Sequence, residues 1–332
     1  MTYLLGVDEA GYGPNMGPLV IGLSAWQVPE RVGPEKLFAR VSKIISQPGG
    51  EKARKSDDRL AIGDSKLLYK PAQRGASTAA RSAPLRLLER GVRAILGLLD
   101  RRPARWREIW SRVDPADANL QDAAPWHDGY DEQLPVDCGP EAEPDIVKLG
   151  EGLARADVRC RELRARAIFP AEFNGLVERH GNKAEVLSLA TLALVRGTLE
   201  RLPNCPAIVT CDKHGGRDYY AGLLQHVFPD ELVKIRRETP ELGVYQVQHA
   251  GRTVEFRFLV SGERMLPTAL ASMTAKYLRE LAMRPFNAFW QRHVPGLAPT
   301  AGYHTDSWRF LRDIRAVQER LQIDQRLFWR SR

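Results

Sequence analysis

The sequence predicts an α/β fold: a mixed central sheet flanked by helices, with a helical C-terminal region. Three observations carry this. Apolar runs of strand length alternate with stretches of helical periodicity along most of the chain. The first two apolar runs, 3–9 and 18–26, are joined by a short Gly/Pro connection, which predicts an antiparallel hairpin. Ala207-Ile208-Val209-Thr210-Cys211 is apolar almost throughout, as in a strand covered on both faces.

The elements follow in order. After the opening hairpin, residues 47–60 are polar, with Gly49, Gly50 and the basic cluster Lys52, Arg54 and Lys55, which reads as a surface loop. Residues 84–100 predict an amphipathic helix, because Leu85, Leu88, Val92, Ile95, Leu96 and Leu99 share one face while Arg86, Arg90 and Arg93 lie elsewhere. Residues 101–112 are basic and aromatic, with Trp106 and Trp110 one turn apart. The stretch to about 145 is acidic and Pro-rich, the composition of an insertion or a poorly ordered loop. A strand is expected over 158–169 and a long helix over 183–202, closed by Pro203-Asn204. The apolar strand then ends in Asp212-Lys213-His214-Gly215-Gly216. A helix (218–227), a strand (232–235) and a hairpin (243–249 with 253–260, turned by Ala250-Gly251) come next. Pro267 suits the first turn of a helix running to about Met283. The last 40 residues are basic and largely helical. The expected organisation is a single catalytic domain over 1–332, with an insertion at about 100–157 and a basic helical part from about 284.

A chain of 332 residues can bury a large core, and 43% hydrophobic content is that of a globular protein. No stretch reaches the roughly 18–20 apolar residues of a membrane span. The first apolar run has no basic segment before it and is broken by Asp8 and Glu9, so a cytoplasmic protein is expected. No membrane partner is expected, and the expected state is a monomer. Cys138, Cys160, Cys205 and Cys211 show no metal-ligand spacing and read as reduced thiols. The net charge of +8 favours polyanionic partners, chiefly nucleic acid. Ten acids and no Lys or Arg fall within 113–145, so one strongly acidic segment is carried on a strongly basic body. That segment reads either as a solvated excursion or as a gate over a basic groove.

Chemistry points to Asp8 and Glu9, adjacent carboxylates at the end of an apolar strand and before Gly11 and Gly13. Ionised carboxylates there need partners. Spacing alone allows a solvated acidic turn or a divalent-metal site. Asp212 ends the buried strand 207–211, and sites on open α/β sheets gather beyond the carboxyl ends of strands. If the two strands are neighbours, Asp8, Glu9 and Asp212 converge, and a purely oxygen donor set suits Mg²⁺ or Mn²⁺. Glu263 is a fourth candidate, with a helix-dipole partner as the plain alternative.

These residues carry a resemblance. Gly6-Val7-Asp8-Glu9-Ala10-Gly11-Tyr12-Gly13-Pro14, followed by Gly17-Pro18-Leu19-Val20, resembles the opening motif of ribonucleases HII and HIII, the type 2 ribonucleases H. Gly63-Asp64-Ser65-Lys66-Leu67 is similar to the family's Asp-Ser-Lys motif, and the strand ending at Asp212 to its third acidic position. Ala271-Ser272-Met273-Thr274-Ala275-Lys276, with Arg279 beyond, resembles its Ala-Ser-x-x-Ala-Lys helix, and Gly302-Tyr303-His304-Thr305 its Gly-Tyr loop. The five motifs stand in the family's order.

The resemblance implies a ribonuclease H-like fold. It also implies hydrolysis of the RNA strand of RNA–DNA hybrids to 5′-phosphate and 3′-hydroxyl ends, with two divalent ions held by Asp8, Glu9, Asp212 and Glu263. Gly11, Tyr12, Gly13, Asp64, Ser65, Lys66, Lys276 and Tyr303 would contact RNA–DNA hybrid or ribonucleotide-containing DNA. For Lys276 an i,i+4 salt bridge with Glu280 is the alternative, and for Tyr303 a place in the core. Three departures stand out: Tyr12 replaces the family's Arg or Lys, Glu263 is shifted in spacing from Ala271-Ser272, and His304 replaces a Gly or Pro. The competing readings are a nuclease of the same fold with another nucleic-acid substrate, and a non-catalytic nucleic-acid-binding protein.

Overall fold

The computed structural model describes residues 1–48, 58–69, 83–114, 124–139, 142–214 and 216–331. Lys52, Arg54 and Lys55, the acids Asp117, Asp122 and Glu141, and Gly215 lie outside the described residues.

The chain opens with strands β1 (Thr2–Ala10) and β2 (Leu19–Val28), then helix α1 (Pro34–Arg40), the two-residue strands β3 (Ile45–Ser46) and β4 (Leu60–Ala61), and the short helix α2 (Ser65–Leu68). Helices α3 (Arg86–Leu98), α4 (Trp106–Val113) and α5 (Ala142–Arg155) lead to strand β5 (Arg159–Ile168). Helices α6 (Pro170–His180) and α7 (Lys183–Leu199), strand β6 (Ala207–Asp212) and helix α8 (Ala221–Val227) follow. Strands β7 (Lys234–Glu238), β8 (Leu242–His249) and β9 (Arg252–Leu259) precede the long helix α9 (Leu266–His293) and helix α10 (His304–Arg320).

Seven strands form one sheet in the order β5-β2-β1-β6-β9-β8-β7. β1 pairs antiparallel with β2, as the Gly/Pro connection predicts, and parallel with β6, which is parallel to β9. The β8–β9 hairpin turns at Ala250 and Gly251, both at positive φ, the backbone a tight two-residue hairpin requires. The α/β class and the helical C-terminal region stand as predicted.

Alternation along β1 explains the layering. Leu4 faces a core shared with α3 and α9, while Tyr3, Leu5 and Val7 face a second core with α7 and α8. A strand buried on both faces has no room for charge, and Asp8 and Glu9 come only near its end, past the last β6 pair at Val7, where β1 is paired with β2 alone. Two glycines let α9 press onto the sheet. A Cβ on Gly6 would lie 2.1 Å from the Thr268 nitrogen, and one on Gly22 would lie 2.3 Å from the Ala271 carbonyl oxygen.

Two expectations are corrected. The α9 helix does not stop at Met283 but continues through Pro285 to His293. Proline removes the N–H that would bond the carbonyl of residue 281. That carbonyl instead accepts the indole N–H of buried Trp106 at 2.9 Å, so the helix passes the proline with its acceptor satisfied. The acidic segment, where described, is not a solvated excursion. Residues 124–139 pack onto the body: Trp126 and Leu134 are buried, and Glu132 holds Arg284. Buried Glu89 accepts the backbone N–H groups of Val136, Asp137 and Cys138 at 2.7–2.8 Å, and Tyr277 donates to it at 2.8 Å.

Candidate active site

The parallel register of β1 and β6 pairs Val7 with Cys211, so Asp8 and Asp212 leave adjacent strands at the same sheet edge. β9 runs parallel beside them and ends at Leu259, after which a 3₁₀ turn at Gly262–Arg264 carries Glu263 to that edge. All four acids line one cavity of about 650 Å³.

The local bonding is specific. Asp8 Oδ1 accepts the N–H of Glu9 at 2.9 Å, and Ser272 adds a side-chain hydrogen bond. Asp212 Oδ1 accepts the Gly262 N–H at 3.0 Å, which ties β6 to the turn bearing Glu263. Burial raises Asp8 to about 7, with repulsion from Asp212 and Glu263 adding to it. Glu9 rises to about 8, first by burial and then by repulsion from Asp8 and Asp212, with Lys66 opposing. Both carboxyls are thus harder to ionise than exposed ones. Among the described residues, no three acidic, His or Cys side chains are already drawn into a closed ligand cage. His214, near Asp212, does not line the cavity. It is buried against Ser188 with its pKa pushed down to about 4 by burial, so the donor set is oxygen only.

The structure brings the other expected residues to the same cavity: Gly11, Tyr12, Gly13, Asp64, Ser65, Lys66, Lys276 and Tyr303 all line it. Their states differ. Asp64 caps α2, accepting the Lys66 N–H at 2.9 Å, and this leaves the Lys66 side chain exposed. The Ser65 hydroxyl is turned inward to Ser272 at 3.1 Å. Lys276 makes the i,i+4 salt bridge to Glu280 at 2.6 Å and lies 4.2 Å over the Tyr69 ring, so its ammonium is engaged within the protein. Tyr303 is 53% exposed and not a core tyrosine. Tyr12 is half-buried, with the Lys183 ammonium 4.8 Å from its ring centroid, so a cation stands near position 12 although the residue there is aromatic.

Gly11 has φ +91°, and a Cβ there would meet Arg279 Nε at 2.5 Å. Arg279 is 1% exposed, and its Nη2 donates to the carbonyls of Met16 and Ala301, fixing the Gly302-Tyr303 loop against the first glycine turn. His304 is the first residue of α10 after an extended Tyr303, a position that needs no glycine.

Sequence reasoning gave no separate role to Ser272, Tyr69 and Arg279, which also line the cavity, as does Glu280, expected only as the partner of Lys276. The signal for Ser272 and Arg279 was their polarity on a helix whose neighbours Ala271, Met273, Ala275 and Leu278 are buried. An adjoining cavity of about 820 Å³ shares Tyr69, Glu280 and Ala301 and is walled by Gly129–Glu132 of the acidic segment.

The chain is similar to solved structures of type 2 ribonucleases H. An RNase HII from Archaeoglobus fulgidus, solved in complex with PCNA, is 13% identical, with a TM-score of 0.42 over 99% of this chain and 94% of that one. A ribonuclease H2 from Pyrococcus horikoshii OT3 is 14% identical, with a TM-score of 0.44 over 98% and 92%. Bst-RNase HIII in complex with Mn²⁺ is 14% identical, with a TM-score of 0.40 over 99% of this chain and 66% of that one. At such values the likeness assigns no role to any residue. No protein-family model matches the chain, and no curated protein does. No described helix is long and apolar enough to cross a membrane.

Proposed function

We propose that this chain is a divalent-metal-dependent endonuclease of the type 2 ribonuclease H kind, which hydrolyses the RNA strand of RNA–DNA hybrids. The observation that carries the reading is the convergence of Asp8, Glu9, Asp212 and Glu263 on one cavity at the carboxyl edge of three parallel strands. Four acids, two of which are raised toward neutrality by burial and then by mutual repulsion, fit a cationic occupant. Oxygen donors alone fit Mg²⁺ or Mn²⁺.

When bound, two such ions would supply an activated water and stabilise the leaving 3′-oxygen, giving 5′-phosphate and 3′-hydroxyl products. The chain's own groups do the rest. Asp8, Glu9, Asp212 and Glu263 hold the ions, with Ser272 orienting the Asp8 carboxylate. Exposed Lys66 contacts a backbone phosphate and so positions the duplex without reading sequence. Gly11 and Gly13 let the backbone approach the ribose, and Tyr303 offers an exposed ring to a sugar or base. The basic balance of the chain adds non-specific attraction for the duplex.

Tyr12 favours one second reading, a nuclease of this fold with a different nucleic-acid preference. One panel decides. The protein with Mn²⁺ is given labelled RNA–DNA hybrid, DNA containing one ribonucleotide, plain DNA and plain RNA, with Asp8→Asn as control. Cutting of the hybrid that Asp8→Asn abolishes supports the proposal. Cutting of plain DNA supports the second reading, and binding without cleavage of any duplex overturns both.

A further inference from the structure

We propose that a second, smaller cavity beside Tyr12, built around Arg330 and Lys183, is a phosphate site for a backbone phosphodiester of the same nucleic-acid strand. This rests on the nuclease reading above. The cavity is about 240 Å³ and shares Tyr12, Gly13 and Pro14 with the acid-lined one, so a strand seated at the acids continues past it. Two cations line it and no acid does.

Arg330 is 3% exposed. Its Nη2 donates to the Pro14 carbonyl, its backbone N–H donates to the Asn15 carbonyl at 2.8 Å, and its guanidinium sits 4.9 Å from the Phe173 ring centroid. These contacts fix the group but supply no charge. Nε and Nη1 have no partner among the described residues, and Arg330 forms no ion pair there. Burial pushes its pKa down, and the Arg279 guanidinium adds to the effect. A buried cation with two unsatisfied donors is costly, and proteins keep such groups chiefly where an anion meets them. A guanidinium fork matches phosphate oxygens in shape and charge. Lys183, over the Tyr12 ring, brings a second cation with no ion pair among the described residues. Glu185, in the same first turn of α7 as Lys183, holds Arg217 at 2.8 Å rather than Lys183.

A purely structural role, pinning the segment at Trp329 and Arg330 to the Pro14 loop, would leave the salt dependence of duplex binding unchanged. The test therefore reads that dependence. The full chain and its Arg330→Gln and Lys183→Gln variants are titrated with fluorescent RNA–DNA hybrid in EDTA, by anisotropy, over a range of salt. Each variant is expected to bind about tenfold more weakly, with the slope of log affinity against log salt reduced by about 1. A hybrid with one neutral methylphosphonate linkage, stepped along the strand, should at one position bind wild type and variants alike. Inorganic phosphate is the separate arm, read by thermal shift.

Wild-type affinity and slope in Lys183→Gln overturn the proposal, and that variant decides alone if Arg330→Gln does not fold. Phosphate that raises the wild-type melting temperature without any variant effect on hybrid binding overturns the strand assignment in favour of a free-anion site. Wild-type protein that binds hybrid through this cavity yet cuts nothing fails the nuclease reading and leaves this one standing.

Discussion

Removing one acid of the Asp8, Glu9, Asp212 and Glu263 cluster should make the metal-free protein more stable. Asp8 is raised from 3.8 to about 7 by burial, with Asp212 and Glu263 adding repulsion. At roughly 1.4 kcal/mol per pH unit, that gap is about 4 kcal/mol of native-state penalty once Asp8 is ionised. Asp8 reaches solvent through the cavity, so screening cuts the figure to about 2 kcal/mol. The sign follows from the folded pKa lying above the unfolded one. Stability is fully present below about pH 4, where Asp8 is protonated in both states, and is lost as pH rises through about 7. Asp8→Asn keeps an acceptor for the Glu9 N–H and cannot ionise. With an unfolding entropy of about 2.1 cal/mol/K per residue over 332 residues, the variant should melt about 3 °C above wild type at pH 8 in EDTA. The difference should shrink to nothing near pH 4. Saturating Mn²⁺ should reverse the order, since an ion at a hundredfold over its dissociation constant adds about 2.7 kcal/mol to wild type alone. The assay is thermal denaturation across pH, with and without metal. An Asp8→Asn melting temperature equal to or below wild type at every pH in EDTA would mean that ionised Asp8 carries no such penalty.

Other expectations follow from the packing. Trp106→Phe strands the Leu281 carbonyl, which should cost about 1–3 kcal/mol in denaturant unfolding, and much less in a Pro285→Ala background that restores a helical N–H. Gly6→Ala places a methyl 2.1 Å from the Thr268 nitrogen, so it should cost about 3 kcal/mol and lower cleavage by moving α9 off the acids; unchanged rates would count against the role of that contact. Glu89→Ala removes the acceptor of three backbone N–H groups and should open residues 124–139 to limited proteolysis.

Much of this arrangement was legible in the sequence because it rests on local pattern. The β1–β2 hairpin, the buried strand β6 and the Ala250-Gly251 turn each announce themselves within a few residues. The convergence of Asp8 with Asp212 needed one inference, that the two strands are parallel neighbours. What was not legible depends on distant partners. The passage of α9 through Pro285 relies on Trp106, 179 positions earlier in the chain. The docking of the acidic segment relies on Glu89, a buried charge on the otherwise amphipathic helix α3. The engagement of Lys276 was foreseeable as an i,i+4 pair with Glu280, but its seat on Tyr69 was not. Nothing local marks Arg330 as buried, because its environment is assembled from the Pro14 loop and α6.

The proposed function requires the four acids at the sheet edge to gather divalent ions for hydrolysis of an RNA strand. It is tested most directly by single-turnover cleavage of an end-labelled RNA–DNA hybrid as Mn²⁺ is titrated, with mapping of the new ends. Metal-dependent cuts are expected in the RNA strand alone, leaving 5′-phosphate and 3′-hydroxyl ends, with a loss of at least about a hundredfold in Asp8→Asn and Asp212→Asn. Cleavage that persists in EDTA, or that survives in both variants, would contradict it.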